Sequence, residues 1–181
     1  MIRSRSILLT CVLAAGCAGL VANPAHAGRP AYLLHIQGRF GAGSHSLDLA
    51  VPWKTSTGGS PFDFTADVSD NVGLDRLRRA WSTLQHLPEG RDVAIETSSE
   101  TVRAWRRGGY LVLEPHRRDE SEVCRVKIPE YIVTTILAHE GRLTDEDIDH
   151  LMHERGKVTI VKVNSEKGEL SVWVDRSTAD I

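Results

Sequence analysis

The chain has 181 residues, with 22 Lys and Arg against 24 Asp and Glu and a formal net charge of −2, an ordinary balance for a soluble protein. Of its three cysteines only Cys124 lies beyond the first 27 residues, so a chain processed there has no intramolecular disulfide and its core must carry stability alone. No stretch approaches the roughly 20 predominantly apolar residues that a membrane-spanning helix needs.

The first 27 residues follow the plan of a secretory signal: Arg3 and Arg5, an apolar run from Ile7 to about Val21, then Ala25-His26-Ala27 before Gly28. Cleavage there implies a periplasmic or secreted chain. The alternative is a lipoprotein anchored through Cys17, because "LAAGC" resembles a lipobox, with Ala14 in place of the usual leucine. Beyond the signal the charge is uneven. Residues 28–118 hold 12 basic and 10 acidic side chains and residues 119–181 hold 8 and 14, which favours docking of the two halves on each other or of one chain on another.

"AYLLHIQGRF" reads as an extra N-terminal strand that pairs along the sheet with the next, "LDLAVP" (Leu47 to Pro52). Residues 53–72, rich in Gly, Ser, Thr, Asp and Pro, read as a long loop whose aromatic anchors are Trp53, Phe62 and Phe64; such loops either bind or fold back to cap a core. Leu74, Leu77, Trp81 and Leu84 recur at helical spacing, and Pro88 and Gly90 end that helix. "DVAIETSSETVRAW" then reads as a hairpin.

In the second half, Cys124, Val126 and Ile128 alternate with Arg125 and Lys127, the period of two of a half-buried strand that ends at Pro129. Cys124 is expected to be a buried, inert thiol in that strand. A helix follows with the stripe Ile132, Val133, Ile136 and Leu137, and Gly141 stops it. Thr144 and Asp147 form the capping pair of a second helix that buries Ile148, Leu151 and Met152 and ends at Gly156. Two strands, from Val158 to Val163 and from Leu170 to Val174, close the chain as a hairpin.

Laid over one another, "LDLAVP" matches "CRVKIP", and Val102, Ala104 and Trp105 fall where Leu170, Val172 and Trp173 fall. The expected fold is therefore α+β: an internal duplication of two β-α-β-β repeats, with antiparallel hairpins and helices packed on one face. The first repeat, with its extra strand and loop, spans 28–118 and the second spans 119–181. Residues 122–175 resemble the short SHOCT-like modules of bacterial envelope-stress proteins of the YvlB and LiaX type, through the strand ending in proline, the acidic helix start and the hairpin ending in Trp-Val-Asp. The resemblance implies a small noncatalytic domain that mediates protein contacts.

The histidines His139, His150 and His153 suggest a metal site only weakly, because the helical pair is spaced i, i+3 and Leu143 stands where an HExxH motif needs its second histidine. Neither a GxSxG elbow nor a phosphate-cradling glycine loop occurs, and the acids of "TDEDID" suit a helix N-terminus. Arg103, Trp105 and Arg107 share one face of their strand, and Trp173 projects from the corresponding position of the last hairpin. The expected function is thus noncatalytic, with no cofactor: an exported envelope protein acting as a protein-interaction or regulatory module, with a stress-related role in view. The alternative is a periplasmic metal- or small-ligand-binding protein using the His-rich acidic helix. Expected partners are an envelope protein, an anionic membrane surface or a second copy of the chain, and not nucleic acid.

Overall fold

Period-two alternation builds the greater part of the described residues. The computed structural model describes residues 32–41, 45–53, 74–96, 100–116 and 123–176; of these, 53% are strand and 29% helix. In chain order the elements are β1 (Tyr32–Phe40), β2 (His45–Pro52), α1 (Leu74–His86), β3 (Asp92–Glu96), β4 (Thr101–Arg107), β5 (Tyr110–His116), β6 (Cys124–Pro129), α2 (Glu130–Ala138), α3 (Asp145–Arg155), β7 (Lys157–Ser165) and β8 (Gly168–Arg176).

All eight strands belong to one antiparallel sheet in the order β2-β1-β8-β7-β6-β5-β4-β3. This overturns the expected α+β fold of two β-α-β-β repeats, each with its helices on one face: among the described residues the fold is dominated by a single sheet to which three helices are added. The first half runs hairpin, helix and three further strands, the second runs strand, two helices and hairpin, and only the second keeps its strands, β6, β7 and β8, adjacent. In the first half the two hairpins are parted to opposite edges, β1 pairing with β8 and β4 with β5. The halves share one sheet instead of forming two helix-covered units. Neither half can therefore lie across the other's sheet.

The unforeseen element is β5. Gly108 and Gly109 have φ of 58° and 78°, the positive pair that a tight two-residue hairpin turn requires and that side chains other than glycine adopt poorly. The turn folds Tyr110 to His116 back on β4. That places β5 between the halves, and its other side takes up β6 from Tyr110↔Pro129 to Leu113↔Val126.

Cross-strand register carries two apolar rows on the core side of the sheet: Val51, Leu34, Val174 and Val158 across β2, β1, β8 and β7, and Val163, Val126, Leu113 and Ala104 across β7, β6, β5 and β4. Against them Ile132, Ile136, Ile148, Leu151 and Met152 from α2 and α3 form the larger core cluster. Trp81 and Leu84 of α1 form a second with Ile95, Val102, Ala104 and Leu111, and Val133 of α2 joins it, so α2 bridges the two. Arg106 reinforces the junction. Its guanidinium grips Glu130, at the first turn of α2, through Nε at 2.9 Å and Nη2 at 3.3 Å, in the fork geometry that arginine favours.

Helix boundaries follow their expected chemistry. Pro129 precedes the first residue of α2, and Thr144 and Asp147 make a reciprocal capping box at the start of α3, which Gly156 ends with φ of 72°.

Gly168 begins β8 opposite Phe40, where a Cβ would run into the backbone carbonyl of Arg39. Because the obstacle is backbone, Gly168→Ala must push β8 away from β1. We expect a loss of about 2–4 kcal/mol, read as a lowered urea midpoint with an unchanged slope.

Candidate functional site

The side of the sheet away from the core carries a row of side chains that contributes to neither core cluster. Across its centre Trp105, Val112, Lys127, Lys162 and Ser171 stand opposite one another on β4, β5, β6, β7 and β8. The row continues through Gln37 to Asp48 at one edge and ends at Asp92, beside Trp105, at the other. It is therefore cationic in the middle and acidic only at its ends.

A bulge in β7 creates this arrangement. The register slips between Thr159 and Val161, so that Ile160 and Val161 are both buried. Strict alternation from Val158 would have turned Lys162 into the core; the extra residue returns it to the outer face, directly opposite Lys127. Like charges opposed across a strand pair, with Cβ atoms about 4.5–5.5 Å apart, disfavour the sheet. Among the described ion pairs no carboxylate neutralises Lys127 or Lys162; the Lys162 ammonium lies 5.7 Å from the centre of the Tyr110 ring.

Arg103, Trp105 and Arg107 do share this face, but they are not alike. Arg103 donates from Nε to Asp92 at 3.0 Å and reaches Glu114 at 3.8 Å, which also accepts from Arg125 at 2.7 Å. The Arg103 hydrogen bond and charge hold the Asp92 carboxyl below its ordinary range. Arg107 is exposed, opposite Tyr110. Trp105 is half-buried, laid beside Val112, with the Arg103 guanidinium 5.9 Å from its ring centre.

Trp173 occupies the same face about 20 Å from Trp105, since four inter-strand steps of about 4.8 Å separate them. Both tryptophans stand on the same face of a single sheet, so neither packs one half of the chain against the other. Trp173 is already enclosed by its neighbours. His35 stacks on it with centroids 5.0 Å apart and planes at 4°, and the Lys157 ammonium sits 4.3 Å from the ring centre. Asp175 accepts from the indole N–H at 3.0 Å and from His35 Nε2 at 2.9 Å. Both indoles are half-buried, and Trp105 lies against Val112, itself only 3% exposed.

Trp53 is fully buried within the larger core cluster, and Phe62 and Phe64 lie outside the described residues, as does the signal-like segment 1–27. Cys124 is half-buried against the same core. No helix among the described residues is long and apolar enough to cross a membrane.

The three histidines do not converge. His139 Nδ1 donates to Asp147 Oδ2 at 2.8 Å, His150 Nε2 lies 3.2 Å from Glu154 Oε1 one turn along α3, and His153 is exposed. Among the described residues no group of three His, Cys, Asp or Glu side chains could hold a metal ion. A shallow open depression of about 300 Å³ lies at the β7–β8 turn beside Arg39 and Phe40.

No protein family, curated protein or solved structure matches this chain. The candidate site thus rests on its own chemistry: a row with a cationic centre and an aromatic flank that is acidic only at its ends, while the other carboxylates of the face are engaged, Glu114 by Arg103 and Arg125 and Asp175 by His35 and Trp173. Lys127, Lys162 and His35 were not singled out by sequence. Lys127 was legible as an outward strand residue, whereas the direction of Lys162 depends on the bulge.

Asp147 has a structural task. Its carboxylate, 9% exposed, accepts from the Thr144 backbone N–H at 2.8 Å, the Thr144 hydroxyl at 2.7 Å and His139. Burial by itself would raise its pKa, but these hydrogen bonds together hold it below the ordinary value. A depressed carboxyl stabilises the fold above its unfolded pKa, and that contribution is lost as pH falls through the lower folded value. Asp147→Asn should cost about 1–3 kcal/mol at neutral pH and flatten the fall in stability below about pH 4, as measured by denaturant titrations across pH.

Proposed function

We propose that this is an exported, noncatalytic protein of the bacterial envelope that docks an acidic protein partner on the outer face of its sheet. The signal-like N-terminus supports the location, and the SHOCT-like pattern of residues 122–175 supports an interaction or regulatory role, including one in the envelope-stress response. The observation that carries the reading is the Lys127–Lys162 pair. Two ammonium groups stand opposed at the centre of the face without a neutralising carboxylate among the described ion pairs. A partner carboxylate would relieve the repulsion, while Trp105 offers an apolar flank of the kind enriched at binding hot spots.

The pair makes stability and binding diverge. Lys162→Glu converts a like-charge contact into an opposite-charge one, and should stabilise the isolated protein by about 0.2–1 kcal/mol. The same change should abolish docking. A photo-crosslinking residue at Ser171, next in the row, should give a discrete protein adduct in living cells. The adduct should disappear with Lys162→Glu and weaken with Trp105→Ala, and should not form when the crosslinker stands at His153 on α3. An adduct indifferent to Lys162→Glu, or crosslinking to lipid alone, would overturn the proposal, the latter in favour of an anionic membrane surface.

A further inference from the structure

The sheet has two free edges among the described strands, and they are unlike. β3 is five residues long with Asp92 and Glu96 at its ends, and Arg76 of α1 donates to the Glu96 carbonyl. Short, charged and partly occupied edges are guarded against pairing with another chain. β2 is eight residues long, and between Leu47 and Val51 it bears a single charge, Asp48. Leu47, Leu49 and Val51 lie on the core side, opposite Gly38, Ile36 and Leu34 of β1. Ile36 is buried, yet Leu49 beside it is 41% exposed. An apolar row thus reaches an edge with one flank open.

We infer that two copies of the chain associate by antiparallel pairing of their β2 strands about a two-fold axis at Leu49. The inference goes beyond the proposed docking role and uses a different surface. A closed two-fold contact must be self-complementary, and β2 is so in one register. With Leu49 opposite Leu49, Leu47 meets Val51 in both directions and the exposed core-side row is covered. On the other side Asp48 meets Ala50, also in both directions. Moving the axis to Asp48 opposes two carboxylates, which is disfavoured. Moving it to Ala50 drives the pairing beyond Val51 into Pro52, which has no N–H, and Trp53, whose backbone N–H is committed to the Tyr32 carbonyl at 3.0 Å. The Leu49 axis keeps the ladder within Leu47–Val51. The resulting sheet is continuous across the pair, and both outer faces stay open.

The full chain should show the mass of two copies by light scattering at high concentration and move toward one copy on dilution, because contacts of this modest size are weak. Leu49→Lys and Leu49→Glu should each give single copies at every concentration, as like charges would then meet on the axis. Mixing the two variants should restore the mass of two. As a milder probe, with Cys11, Cys17 and Cys124 replaced by alanine, Leu49→Cys should form a disulfide-linked pair on oxidation, and Ser46→Cys should not. A single copy for the wild-type chain at all concentrations, a mixture that stays single, or equal linkage at both cysteine positions would overturn the inference.

Discussion

The pairing of β1 with β8 is the constraint on which the rest of the structure depends. Nine residue pairs, from Tyr32↔Arg176 to Phe40↔Gly168, join the first described strand to the last. Through them the β1–β2 hairpin enters the sheet, and Val174 and Val172 gain Leu34 and Ile36 as neighbours in the larger core. The contacts join the two ends of the described residues, so their loop-closure entropy is met late, a feature of slowly folding β proteins. The close fit of Gly168 to the Arg39 backbone shows how little slack the junction has.

That junction also shapes the surface. Period-two alternation means that burying one side of eight paired strands presents the other as a single surface. His35 can stack on Trp173 only because β1 lies against β8, and Lys127 meets Lys162 only because β6 lies against β7 beneath the α2–α3 connection. Each helix meanwhile has core work: α1 covers the β3–β4 end, α3 packs over β7, and α2 spans both clusters, with Arg106 and Glu130 fixing its start. Tyr131 adds a tie of its own, donating its hydroxyl to the Thr159 carbonyl at 2.9 Å while Arg155 lies 4.1 Å from its ring centre. Burial is the main reason that the tyrosine's pKa is raised.

Local chemistry was legible where it acts over a few residues. Pro129 before α2, the Thr144–Asp147 box, Gly156 and the apolar spacing of α1 all sit at the boundaries their side chains suggest, since capping and backbone preferences need no distant partner. The inward and outward alternation around Trp105 and Trp173 was legible for the same reason. "YLVLEPH" escaped recognition as β5, although Gly108-Gly109 before it is a strong tight-turn signal. Without β5, and with β1 set aside as an extra strand, the remaining strands divided three and three, and the similarity of the two tryptophan hairpins suggested two repeats. Residues 53–72, where the two expected repeats differ, lie outside the described residues apart from Trp53.

By itself the sequence determined which segments extend, which coil and which side of each points inward, because side-chain volume, β-branching, capping groups and glycine conformations act locally. Only the tertiary structure decided which strand lies beside which. Backbone hydrogen bonding is indifferent to sequence, so partner choice falls to the joint burial of distant apolar rows, and that sum placed β1 against β8 and β4 against β5. It decided the direction of Lys162 as well. A single extra residue in β7 turns the side chain outward, and such a bulge is set by the partner strand against which it is accommodated.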